Sequence, residues 1–309
     1  RRPLVDMDEY VARLKGRLDP TAGWLQSIFQ KVRSDPKRVV FAEGEDTAVI
    51  KAANTFFNQG FGQPVLIGSA DVVRENFKTL GVPLRSEFEL IDIRTSPYHD
   101  EFVDFLYKRM QRRGYLRRDC DRIVRNERNV FAALMVEHGY ADAMVSGVTR
   151  NWTSVYKDVH RVMDPPEDRT VIGVSLAICR GRAVLIADTS VHDMPTAEEL
   201  ANIATEAARA ARNFGMEPRV AMLAYSNFGQ PRGERSDQVR QAVQILDQRG
   251  VDFEYDGDMA ADVALNNDMM KLYPFCRLTD TANVLIMVAF QAASSSTMML
   301  KELGGATVM

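Results

Sequence analysis

The chain has 309 residues, 46% of them hydrophobic and 26% charged, with 42 acidic against 39 basic side chains and a formal net charge of -3. Such a composition belongs to a globular protein with a substantial core, and the near balance of charge excludes the basic footprint of a nucleic-acid binder. The longest apolar run, "NVLIMVAF" at 283–290, falls well short of the roughly eighteen residues of a membrane span.

Cys120, Cys179 and Cys276 are odd in number and far apart, and the opening "RRPLVDMDEY" lacks an apolar signal core, so a reducing cytoplasmic setting is expected. The chain opens on Arg-Arg without an initiating Met and is expected to be a piece of a longer protein, with residues 1–18 as a linker or arm.

From residue 38 onward, apolar β-rich runs alternate with helical patterns. "RVVFA" (38–42) is followed by "TAVIKAANTFFNQG" (47–60), "PVLIG" (64–68), "ADVVRENFKTLG" (70–81) and "FELIDI" (88–93). This alternation predicts right-handed βαβ units and a parallel sheet, with Gly60 and Gly81 as left-handed helix stops. Between Val171 and Asp188, two apolar runs flank the tight "CRGR" and predict a β-hairpin. "DMPTAEELANIATEAARAARNFG" (193–215) has Pro195 and Thr196 at its mouth, Glu198 and Glu199 in its first turn and Gly215 at its end, all helix signatures. Alternation then resumes: a strand at 219–226, a helix at about 235–249, a strand at 252–257, a helix near 259–266, a strand at 283–289 and a closing helix from about 292 to 303. The change of pattern places a lobe boundary near residue 150. Residues 19–150 with 286–309 are expected to form a first α/β lobe, and 151–285 a second.

Motifs for nucleotide binding or metal chemistry are weak. No G-x-x-x-x-G-K-[ST] occurs, and "GFGQPV" (60–65) lacks a third Gly and precedes a strand, so it reads as a helix stop. His99, His138, His160 and His192 have no zinc-ligand spacing. His192 and Asp193, following Asp188, sit where a strand gives way to a helix and read as turn and capping residues rather than acid/base machinery. The arginine-dense 108–128 reads either as solvated helix faces or as a source of a phosphate-gripping Arg125 or Arg128.

"ADAMVSGVTRNW" (141–152) offers more, because a strand running through a Gly turn into a helix leaves N–H donors and a positive dipole end facing outward. Ser146, Gly147, Thr149 and Arg150 would there form an anion site at a strand's carboxyl end, where open α/β sheets collect ligands. A second strand end, "AMLAYSNFGQPRGERS" (221–236), brings Tyr225, Ser226, Phe228, Arg232 and Arg235, suited to a coenzyme tail or to a polar surface loop.

Taken together, "RVVFAEGED", "GYADAMVSG", "MPTAEELANIATEAA", "EPRVAMLAYSNFG", "ANVLIM" and "LKELGGATV" resemble, in order and spacing, the phosphotransacetylases, which pass an acetyl group between coenzyme A and phosphate. The spellings "SGVTRNW", "HDMPTAEEL", "GERS", "VDFEYDGDMAADVALN" and "YPFCRL" are similar to the phosphotransacetylase-type domain at the C-terminus of bacterial NADP-dependent malic enzymes. The resemblance implies a two-lobed, parallel-sheet α/β fold of the isocitrate/isopropylmalate dehydrogenase type, with the hairpin in the second lobe, which would carry a homodimer interface. It also implies acetyl-CoA as effector, an upstream malic domain holding NADP and a divalent metal, and a role as sensor and assembly platform. An active phosphate acetyltransferase and a purely structural dimerisation domain are the alternatives.

Departures from the active pattern point toward the sensor. Active members read "PEG…R" where this chain has Ala42 and Ala48, a His where Arg150 stands and an Arg where Lys157 stands. Their "PDLNAGNIAYK" is here "VAFQAASSSTM" (288–298), with Ala289, Gln291 and Ser294 replacing Asp, Asn and Asn, and the segment "NDLSRG" has no counterpart. Losing charged groups that meet a transition state removes turnover more completely than binding. No catalytic residue is therefore assigned. Ser146, Gly147, Thr149, Arg150, Asn151, Lys157, Tyr225, Ser226 and Arg235 are expected to contact acetyl-CoA or phosphate.

Overall fold

The structure, a computed structural model, describes residues 20–309, so the expected linker or arm at 1–18 lies outside the described residues. Contacts divide the chain into two compact units, Ile28–Asp164 and Pro165–Met309, with residues 20–27 grouped with the second.

The first unit is built on four parallel strands, β1 (Lys37–Phe41), β2 (Gly62–Ile67), β3 (Glu89–Ile91) and β4 (Ala143–Val145), in the order β3-β2-β1-β4. The uninterrupted apolar run of β1 follows from burial on both faces. Val39 and Phe41 face one core with Val49, Ile50, Val73 and Phe77, supplied by α2 (Thr47–Asn58) and α3 (Ala70–Thr79). Val40 and Ala42 face the other core with Phe102, Leu106, Val124, Phe131 and Leu134, from α4 (His99–Met110), α5 (Arg117–Asn126) and α6 (Arg128–Glu137). Gly60 and Gly81 take the expected left-handed backbone just past α2 and α3. The preceding helix α1 (Pro20–Ser34) ends against this unit, where Arg33 Nε donates to Gln59 O at 2.7 Å.

The second unit holds a six-stranded mixed sheet. The expected hairpin is present as β5 (Val174–Cys179) and β6 (Arg182–Ala187), antiparallel from Val174↔Ala187 to Cys179↔Arg182. It is joined by β7 (Arg219–Leu223), β8 (Glu254–Met259), β9 (Val284–Ile286) and β10 (Thr307–Val308), in the order β10-β5-β6-β9-β7-β8. The helix expected at 193–215 is α8 (Ala197–Asn213). Thr196 accepts from Glu199 N–H at 3.3 Å while Glu199 accepts from Thr196 N–H at 2.7 Å, closing a capping box. The buried Leu200, Ala204, Ala207 and Ala211 line the face that packs on β6, β7 and β9. Helix α9 (Glu234–Arg249) packs on α8, and the short α10 (Ala261–Leu265) and α11 (Asn267–Met270) follow β8.

Two expected boundaries are corrected. The first unit runs past residue 150, because α7 (Trp152–Val162) buries Val155 and Val162 and packs against α6. Residues 286–309 do not return to it: β9 lies parallel between β6 and β7, β10 pairs antiparallel with β5, and Ala293 of α12 (Phe290–Gly304) enters the second unit's core. Completing the sheet there leaves fewer unpaired strand edges, which is the physical reason the end of the chain stays with this unit.

Leu185, on a central strand, is fully buried. Leu185→Ala is expected to lower unfolding free energy by about 2–5 kcal/mol, and Thr196→Ala, which opens the capping box, by about 1 kcal/mol. Denaturant midpoints measured on the two variants check both the sizes and their order.

Candidate functional site

The first unit places the opening of the site at the carboxyl ends of β1 and β4. Beyond β4 the chain turns at Gly147, whose φ of +115° points successive N–H groups to one side. Their acceptor is Glu43, just past β1. Gly147 and Val148 donate to its Oε2 at 2.9 and 2.8 Å, Thr149 N–H donates to Oε1 at 2.7 Å, and the Thr149 hydroxyl donates to the same oxygen. Glu43 is only 6% exposed. Burial pushes its pKa up, but the hydrogen bonds from the Thr149 hydroxyl and from the N–H groups of Val148, Thr149 and Gly147 outweigh this and hold the carboxyl below its ordinary range.

Gly147 and Thr149, expected as ligand contacts, are both exposed, and Thr149 also lines the cavity described below. The loop is an anion-binding turn, as its residues suggest, but its donors meet a carboxylate of the same chain. Ser146 is redirected too: its hydroxyl donates to Asn129 Oδ1 at 2.7 Å, and Asn129 in turn donates to Asp158 at 3.2 Å. Asn151 caps α7, accepting from Ser154 N–H at 2.9 Å. These four residues shape the site and their described hydrogen bonds stay within the chain.

Arg150 and Lys157 behave differently. Both are exposed, neither has an ion-pair partner among the described residues, and both line a cavity of about 700 Å3. Glu43, Ser154 and Asp158 line it as well, and so do Arg128 and Arg161. Arg128 is held by Glu45 at 2.6 Å, and Arg161 by Glu127 at 2.5 Å and Asp158 at 3.5 Å. Of the two arginines weighed for the cleft, Arg128 reaches it, whereas Arg125 pairs with Asp121 at 3.2 Å. The cavity therefore joins two cations without an ion-pair partner among the described residues to two neutralised ones, an arrangement suited to an anionic ligand held by side chains.

Glu43, Asn129, Asp158 and Arg161 went unmarked in the sequence. The signal for Glu43 was its stretch "EGED", three acids directly after a strand. Glu45 accepts from Ser69 N–H, at the start of α3, at 2.7 Å, and Asp46 caps α2, accepting from Ala48 N–H at 2.7 Å. Each acid answers a different set of orphan donors.

The remaining three expected residues, Tyr225, Ser226 and Arg235, belong to the second unit. Ser226 is fully buried and its hydroxyl donates to Asp258, which also accepts from Gly229 N–H at 3.1 Å. That is a structural contact, which corrects its expected ligand role. Arg235 Nη1 donates to Gln238 Oε1 at 2.9 Å, and Tyr225 is 60% exposed. Asp188, 2% exposed at the end of β6, accepts from the N–H groups of Gly173, Ser190, Val191 and His192 at 2.8–3.1 Å and meets His192 Nδ1 at 2.6 Å. The capping role read for this turn thus falls mainly on Asp188. Among the described residues no cluster of three His, Cys, Asp or Glu side chains is placed to hold a metal ion, and no helix is long and apolar enough to cross a membrane.

The Asp188 hydrogen bond raises the His192 pKa against the opposing effect of burial. For Asp188, burial raises the pKa, and the bonds from His192 and the backbone bring it below its ordinary value. A raised folded pKa means that the His192 contribution to stability is complete below its unfolded value of about 6.5 and is lost as pH rises through the folded one. The depressed Asp188 value means that its contribution is lost as pH falls through that value. The stability gap between wild type and His192→Gln is therefore expected to be widest in mildly acidic solution and to narrow above neutrality. Denaturant midpoints of both proteins across pH 4–9 check this, and a gap that grows with pH contradicts it.

Comparison with known proteins gives the site its context. The chain is 54% identical, over its full length, to an NADP-dependent malic enzyme of Rhizobium meliloti, and spans 41% of that protein. A phosphate acetyltransferase of Thermoanaerobacterium thermosaccharolyticum is 30% identical over 92% of this chain and 88% of its own. The crystal structure of a phosphotransacetylase from Streptococcus pyogenes superposes with a TM-score of 0.85 at 24% identity, covering 93% of this chain and 88% of that one, and so shares the fold. Residues 24–309 match the phosphate acetyl/butaryl transferase family, and the chain belongs to that family.

Proposed function

We propose that this chain is a regulatory domain that binds acetyl-CoA without transforming it, and that it assembles as a homo-oligomer through its second unit within a cytoplasmic NADP-dependent malic enzyme. The conversion of malate to pyruvate, CO2 and NADPH, with its NADP and divalent metal, belongs in this reading to the part of the protein outside the chain. The observation that carries the reading is the pair Arg150 and Lys157, two cations without a described ion-pair partner on the wall of a 700 Å3 cavity. They suit the phosphoryl groups of a coenzyme. They also stand where the resemblance gives active transferases a His and an Arg, so charge is kept while proton transfer is lost at 150 and a planar two-point grip on phosphate is lost at 157. Bound effector would act by favouring one conformational population of the whole protein, which the malic part then feels.

The family's phosphate acetyltransferases span nearly the same length of chain, and that favours an active enzyme as the second reading. Calorimetry and a transferase assay on the full-length protein separate the possibilities. Acetyl-CoA is expected to bind, and acetyl phosphate with CoA is expected to yield no acetyl-CoA. Arg150→Ala and Lys157→Ala are each expected to weaken acetyl-CoA binding roughly tenfold, the size of one charge-assisted hydrogen bond. Turnover in the assay establishes the transferase instead. Absence of binding at millimolar acetyl-CoA leaves only a structural role.

A further inference from the structure

Three N–H groups and one hydroxyl converge on a single carboxylate at the mouth of the cavity. A turn of this kind ordinarily receives a ligand's phosphate or carboxylate, because its donors are aligned before the anion arrives. Here the anion is tethered by β1 and nearly excluded from solvent, so a phosphoryl group entering the turn would have to share donors with a charge of its own sign. The same turn carries Arg150 as its next residue and leads within one residue into α7, which carries Lys157. Asp188 and Asp258 secure loops in a similar way, but Glu43 alone of the three lines this cavity.

We propose that Glu43 is the positioning residue of the site: its carboxylate takes the place of an anionic ligand in the turn and commits recognition of a phosphoryl-bearing ligand to the side chains of Arg150 and Lys157. This rests on the proposed binding of acetyl-CoA in the same cavity. Glu43 touches no ligand. It fixes the direction from which the two cations approach one.

The test uses the full-length protein, with acetyl-CoA and inorganic phosphate as separate probes in calorimetry and with melting temperature read alongside. Glu43→Ala is expected to weaken acetyl-CoA binding by roughly tenfold or more, because the turn that presents the cations loses its anchor. Formate supplies the missing carboxylate. It is expected to restore acetyl-CoA affinity and raise Tm in the variant, while chloride does neither and the wild type responds to neither salt. Inorganic phosphate is expected to bind the emptied turn of Glu43→Ala more tightly than it binds the wild type, a gain that a merely structural role would not produce. Glu43→Gln keeps the shape and one accepting oxygen but turns an amide toward the loop's donors; its intermediate affinity keeps the test decisive if the alanine variant does not fold. Wild-type affinity for acetyl-CoA in either folded variant, or a formate-indifferent Glu43→Ala, overturns the positioning role. Wild-type protein that binds neither probe overturns the proposed function instead, and the formate dependence of Tm still decides whether the turn takes an anion.

Discussion

A carboxylate removed from water and a loop N–H removed from its partner are each costly, and in this protein they cancel one another. Glu43 past β1, Asp188 past β6 and Asp258 near the end of β8 are all almost fully buried, and each collects hydrogen bonds from a loop that leaves a strand's carboxyl end. Charge-assisted bonds of this kind are among the stronger ones available to a backbone. They fix the loops of both units at the strand ends where α/β sheets gather ligands.

Much of the fold was legible because its cause is local. Continuous apolar runs separated by helix periods specify strands buried on both faces, as in Val39, Val40 and Phe41, and the "CRGR" turn specifies a hairpin. The division between units was less legible, because a break in pattern at the hairpin does not reveal which sheet a neighbouring helix packs on. Val155 and Val162 put α7 with the strands before it, and only pairing partners show that β9 and β10 complete the second sheet.

The Gly147 turn was legible in sequence, but its wiring was not. Sequence shows that a Gly-centred turn has donors to offer, and it does not show which acceptor answers them. Glu43 lies 104 residues from Gly147, and Asp258 lies 32 residues from Ser226. Both acceptors arrive through sheet packing, so the partners of Gly147, Thr149 and Ser226 cannot be read from their own stretches. Arg150 and Lys157 line the first unit's cavity as exposed side chains, and long cations of this kind need no buried acceptor to hold them.

The tetrapeptide "EGED" has a consequence for how the first unit comes apart. Its three acids hold the turn before α7, the start of α3 and the start of α2, so three separate helix openings share a single anchor point. The turn beside the cavity and the starts of α2 and α3 are therefore coupled through one short segment, and loosening of that segment is expected to release all three together.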